Sequence, residues 1–275
     1  GSSFLFTELS LRFLPYFGVA FWRTFLGGLA MFALVFLLKL QLPKGTQWFH
    51  LWVAGVFMSA IPFSLFSFAQ QYTTSSLAAI IGAATPMFTL LAILTIYRTE
   101  KVTMVATVGL MVGLIGVAIT LGVWEGFGQN DPLAIGALVL ATISYGIGGP
   151  YIRKFVTPMN LPGTSSAAAQ VSTSAITLLP FYLFSGPLTN ASPSIESMLS
   201  IIALGVLGSG YAYRLYHDVI KDAGSTVAST VTFTNPVVAT IWGILLLSEE
   251  LHWYEPIGGV VVILGAWLAQ HKATK

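Results

Sequence analysis

Cysteine is absent from the 275 residues. Disulfides, a thiolate nucleophile and thiolate metal ligation are excluded with it. Charge is almost as scarce. Asp, Glu, Lys and Arg together make up 8% of the chain, where a soluble domain uses about 25% to cover its wet surface. Most of this surface must therefore face lipid. The net charge of +2 gives no basis for nucleic-acid binding. Also missing are a phosphate loop, a metal cluster and any nucleophile–base–acid arrangement. The four histidines (His50, His217, His252 and His271) fall near expected helix ends without ligand spacing and read as interface residues. No cofactor or metal is expected, and the protein is not read as an enzyme.

What the chain has is apolar length. Hydrophobic residues make up 55% and mean hydropathy is +0.81. A bilayer core takes roughly 20 apolar residues per helix, and hydropathy marks spans at 16–38, 48–69, 75–97, 103–122, 132–152, 163–185, 197–217, 225–247 and 254–271. The run 1–11 is too short to cross and reads as the second half of a first helix whose opening lies outside this sequence. It is not a signal peptide, since no basic region precedes it and no small-residue cleavage site closes it. Continuous apolar runs, not ten-residue alternations, exclude a β-barrel. The expected fold is an all-α membrane protein of about ten transmembrane helices.

Lys and Arg set the orientation. Lys39, Lys44, Arg98, Lys101, Arg153, Lys154, Arg214, Lys221, Lys272 and Lys275 fall in alternate loops, and the opposite loops hold acids and only Arg12. Both termini are expected in the cytoplasm of a bacterium, with the chain multi-pass in its inner (plasma) membrane.

The chain also repeats itself. Shifted by 150, Gly55-Val56 falls on Gly205-Val206, Ser59 on Ser209, Ser75 on Ser225, Pro86 on Pro236, Glu100 on Glu250 and Gly109 on Gly259, without a gap. At a slightly different offset Leu14-Pro15 falls on Leu161-Pro162 and Arg23 on Gln170. The polar, Gly-rich VWEGFGQNDP separates the halves. This gives a first repeat at 1–124, a loop at 125–131 and a second repeat at 132–275. Each half holds five spans, an odd number, so the halves are expected to be inverted, the layout of alternating-access transporters.

At GSSFLFTELSL, at TPMFTLLAILTIYRTEK and at its second copy VASTVTFTNPVVATIWGILLLSEELHW, the chain resembles the EamA family of the drug/metabolite transporter superfamily. The family's usual Gly before the glutamate is Thr99 in one copy and Glu249 in the other. The resemblance implies ten helices, inward- and outward-open states, and export of amino acids, other metabolites or drugs. In length and layout the chain is similar to a bacterial branch that exports aromatic amino acids.

Candidate site residues follow from depth. Pro86 and Pro236 lie about eleven residues into their spans, ~16 Å deep at 1.5 Å per residue, and should kink both helices at the midplane. They serve there as hinges or as packing features, with Thr85 and Asn235 as polar lining beside them. Arg23 lies ~12 Å deep by the same rise. It is a gate or substrate-carboxylate contact, or else a structural pair with Glu8 or a snorkelling side chain. Glu100 and Glu250 read as caps of the helices that follow, with proton coupling the alternative for Glu250. Tyr145, Tyr211 and Trp242 sit deep enough to line a cavity or pack between helices. Ser3, Trp22 and Ser64 complete the candidate lining. Gly109, Gly113, Gly116, Gly258, Gly259 and Gly265 read as packing surfaces or dimer contacts.

With no carboxylate near a midplane, gradient-driven exchange is expected over proton coupling. The reading is an exporter of small metabolites, most of all hydrophobic or aromatic amino acids, acting as a monomer or homodimer. A multidrug or other metabolite exporter of the same superfamily is the alternative, and a channel or receptor the reading from another class.

Overall fold

In hydrocarbon no water is present to bond the backbone, so long apolar runs must satisfy their polar groups internally as helices. The computed structural model describes residues 1–99, 103–120, 123–125, 131–185, 192–247 and 253–270, and among them it is all-α. The helical stretches are α1 (Ser2–Leu11), α2 (Tyr16–Leu37), α3 (Gln47–Ala69), α4 (Ser75–Tyr97), α5 (Met104–Thr120), α6 (Pro132–Met159), α7 (Gly163–Phe184), α8 (Ile195–Ala223), α9 (225–247) and α10 (Tyr254–Gln270). Six of them, α2, α3, α4, α6, α7 and α8, are long and apolar enough to cross a membrane. The chain is a multi-pass membrane protein. Of the remainder, α1 has 10 residues and α5 and α10 have 17 each.

Two helices run past their hydropathy windows. The last part of α8, Ala212–Ala223, is polar overall, yet it keeps Tyr213, His217 and Ile220 buried along one face. A stripe of that kind continues a helix where a sliding average has already fallen. In α6 the helix continues beyond Tyr151 through a π-helical turn, Ile152–Val156.

The packing couples the halves reciprocally. α1 packs on α8 as α6 packs on α3; α1 meets α9 as α6 meets α4; α2 lies against α8 as α7 lies against α3. Three further pairs join equivalent helices: α2 with α7, α4 with α9, and α5 with α10. The α5–α10 contact is the most extensive among the described residues. It depends on small residues: a Cβ added to Gly116 would lie 2.5 Å from Val262 N, and one on Gly265 would strike the Gly113 backbone. These glycines pack within the chain, as small residues do where helices approach in a membrane.

Local irregularities repeat as well. A π-helical turn interrupts α3 at Val56–Ala60 and α8 at Val206–Tyr211, each directly after the matched Gly55 and Gly205. The turn before Pro86 is broken at Ala83-Ala84, and the turns before Pro236 tighten to a 3-10 helix over Thr230–Phe233. Both midplane prolines thus follow a break in their helix.

A candidate substrate cavity between the two halves

A cavity of about 690 Å³ lies within the bundle, bounded by α1, α2, α3 and α4 from one half and α6, α8 and α9 from the other. Its wall is largely apolar and aromatic, with Phe63, Phe66, Tyr145 and Tyr213 among the lining rings. That is the usual composition of a small-molecule site.

Helix irregularity sets the polar part of this wall. A π-turn misaligns its carbonyls with the helix ladder. In the α3 turn Phe57 O accepts from Ser144 Oγ at 2.8 Å, and Met58 O accepts from the Tyr213 hydroxyl. Tyr213 is buried, and the Tyr145 ring packs with its centroid 5.9 Å from that of Phe66. Both tyrosines are thereby fixed at the cavity. The matched α8 turn supplies Ser209, whose Oγ accepts from Arg23 Nε at 3.1 Å.

Arg23 is the exceptional residue. It is 5% exposed, lines the cavity, and lays its guanidinium carbon 3.5 Å from the centroid of the Phe63 ring. Neither Nη nitrogen has a hydrogen-bond partner among the described residues, and no carboxylate pairs with it there. A guanidinium held in a membrane-embedded wall on one serine and one ring is poised to take a planar anion in bidentate fashion. The expected pairing with Glu8 is not formed. Glu8 sits three residues from the end of α1 and Arg23 two turns into α2, so their depths differ. Glu8 Oε2 instead accepts from Ser75 Oγ at 2.7 Å, at the first residue of α4. A carboxylate at that helix N-terminus is electrostatically favoured.

Of the residues singled out in the sequence, Ser3, Arg23, Thr85, Tyr145 and Asn235 lie together on the cavity wall. The others lie elsewhere. Trp22 Nε1 donates to Tyr182 OH at 3.3 Å, towards α7. Ser64 is buried and donates to Ala60 O at 2.8 Å. Trp242 Nε1 donates to Ser2 Oγ at 2.8 Å, and Tyr211 is 43% exposed on the outside of the bundle beside Arg214. Pro86 and Pro236 are buried behind the wall. The carbonyl that Pro86 leaves unbonded, Gly82 O, is taken by Thr85 Oγ1 at 2.6 Å. Glu100 and Glu250 fall outside the described residues.

Depth in a span carries no information about the side of the helix, which is why those positions could not be separated from the wall. Gln70, Thr7 and Phe63 were missed as lining. Gln70 had a signal, an amide near the end of an apolar span. His217 is also not an interface residue. It is buried, and its Nε2 lies 2.9 Å from Gln170 Oε1, while Gln170 Nε2 reaches Ser59 Oγ at 3.5 Å.

A bundle of apolar helices in two reciprocally packed halves, with a cavity between them and a buried guanidinium on its wall, defines the class: a multi-pass membrane protein with a candidate solute site between its halves. The chain belongs to the EamA-like transporter family, which matches residues 1–122 and 132–269. It is 25% identical to an uncharacterized transporter of Archaeoglobus fulgidus, over 98% of this chain and 93% of that protein. It is likewise 25% identical to the uncharacterized inner membrane transporter YedA of Escherichia coli, over 95% and 84%. Protein PecM of Dickeya dadantii is 22% identical over 83% and 75%. A solved crystal structure shares the fold at a TM-score of 0.74 and 17% identity, covering 98% of this chain and 93% of that one.

Proposed function

We propose that the protein exports small metabolites carrying a carboxylate, above all hydrophobic or aromatic amino acids, by alternating access. In this reading ten helices span the membrane as two inverted five-helix repeats with both termini in the cytoplasm. The membrane is a bacterial inner membrane, in keeping with the name of the YedA relative. Transport is gradient-driven exchange, without chemical turnover of the solute.

The observation that carries the reading is Arg23: a buried guanidinium with neither Nη group partnered among the described residues, on the wall of an aromatic cavity between the halves. Burying a cation in a membrane without a counter-charge is costly, and a substrate carboxylate supplies that charge during each cycle. A cationic drug would meet the same charge as repulsion, which disfavours the multidrug alternative.

The test is counterflow of radiolabelled amino acids in proteoliposomes, with and without a pH gradient. Saturable exchange that Arg23→Gln reduces at least tenfold supports the reading. Flux that does not saturate would point to a channel, and saturable exchange indifferent to Arg23→Gln would remove the carboxylate anchor.

A further inference from the structure

The polar groups of the cavity wall sort into donors and acceptors by helix. Four threonines on α1, α4 and α9 have already committed their protons to backbone carbonyls. Thr7 Oγ1 donates to Ser3 O at 2.8 Å, Thr85 to Gly82 O at 2.6 Å, Thr232 to Ser229 O at 2.9 Å and Thr234 to Val231 O at 2.7 Å. A hydroxyl has one proton and two lone pairs, so towards a ligand these groups act as acceptors. Thr7 and Thr85 are 2% and 3% exposed, too enclosed to be plain solvent-facing hydroxyls.

Gln70 adds an acceptor by the same logic. Its Nε2 donates to Phe4 O and to Ser75 Oγ, both at 3.0 Å, and Ser75 passes its own proton to Glu8 Oε2 at 2.7 Å. That chain ends on a carboxylate, so turning the amide over would cost Gln70 both of its donor bonds. Oε1 is left buried with no partner among the described residues. Opposite them stands Arg23, whose two Nη groups have no partner among the described residues and which carries donors only.

We propose that the acceptor wall of α1, α4 and α9, centred on Thr85 and Thr7, is the subsite for the ammonium group of a zwitterionic α-amino acid whose carboxylate lies on Arg23. The proposal rests on the exporter reading and names its substrate class by charge. An ammonium brings three donors to a wall that offers acceptors. The faces of Phe66 and Tyr145, whose centroids lie 5.9 Å apart, add cation–π attraction. A carboxylic acid without the amine leaves the acceptors unmatched, and an amine without the carboxylate faces Arg23. Sites whose buried polar groups are stranded by a lesser analogue discriminate far more sharply than apolar pockets do.

Isothermal titration of the purified full chain in lipid nanodiscs tests this with matched probes: L-phenylalanine, 3-phenylpropionate and 2-phenylethylamine. L-leucine and 4-methylpentanoate form a second pair. The amino acid of each set should bind at least tenfold more tightly than its relatives. Thr85→Val should bring the ratio of amino acid to plain acid close to one by weakening the amino acid alone, and Arg23→Gln should weaken both. Because Thr85→Val also uncaps Gly82 O, Thr7→Val on a different helix provides an independent loss of an acceptor with the same expected drop in ratio. Equal binding of acid and amino acid, or variants that weaken both alike, would overturn the ammonium subsite while leaving the Arg23 anchor in place. Indifference of every probe to Arg23→Gln would instead sink the anchor, and the subsite with it.

Discussion

Arg23 on α2 donates from Nε to Ser209 Oγ on α8 at 3.1 Å, and the equivalent residues of the other half, Gln170 and Ser59, repeat the contact at 3.5 Å. The backbone repeats it too. A Cβ on Gly205 would lie 3.1 Å from Arg23 O, and one on Gly55 would lie 2.6 Å from Gln170 O. One packing unit is therefore used twice, with a second-helix polar side chain seated on the π-turn of the opposite half's third helix. The two copies differ in chemistry. Gln170 is engaged at both ends of its amide, by Ser59 and His217, whereas Arg23 keeps its Nη donors for the cavity.

This asymmetry gives a first prediction. Ser209→Ala removes the partner of a buried charged donor and should lower stability by about 1–3 kcal/mol. Ser59→Ala removes a longer, neutral contact and should cost less. Thermal unfolding of the two variants in detergent, followed by intrinsic fluorescence, makes the comparison. Equal losses would mean that the short contact to Arg23 adds nothing over its neutral copy.

The midplane prolines are the second case. Both follow a helix break, at Ala83-Ala84 and at Thr230–Phe233. Alanine restores a donor and a good helix former, so Pro86→Ala should keep or slightly raise stability while transport falls. Under inverted symmetry Pro236→Ala should trap the opposite-facing state. The chain has no native cysteine, so single cysteines at Ser3 and Val219, both on the cavity wall, report accessibility cleanly. Their labelling rates should shift in opposite directions in the two variants. Normal transport with unchanged labelling in both would reduce the prolines to packing features.

Orientation is a third. Reporter fusions after Lys44, Arg98 and Lys154 should read cytoplasmic, and fusions after Gln129 and Asn190 external. Two or more reversals would dismantle the inverted arrangement, which needs an odd number of crossings per half.

A fourth concerns the α5–α10 seam. Gly265 has the Gly113 backbone where a side chain would go. Gly265→Leu overpacks that contact and should cost about 1–3 kcal/mol, with the cavity and its ligand affinity little changed, since no described residue of either helix lines it. Binding lost in step with stability would show that the seam supports the site as well.

The sequence by itself determined what can be read along one dimension. Too few charges and long apolar runs required helices in lipid, since no other local structure closes the backbone's hydrogen bonds there. The shift of 150 that aligns Pro86 with Pro236 also aligns the two π-turns. Helix limits fell within a few residues of the hydropathy windows, apart from α6 and α8, where a buried stripe outlasted the average. Arg23, Thr85 and Asn235 stood out because a polar residue deep in an apolar span needs a reason.

Only the tertiary structure decided which of those deep residues meet. Whether Trp22 faces α7 or the cavity, and whether Glu8 reaches Arg23 or Ser75, depends on how each helix is rotated about its axis and what lies against it. Contacts across more than a hundred residues set that rotation, as between Arg23 and Ser209, and no local pattern encodes it.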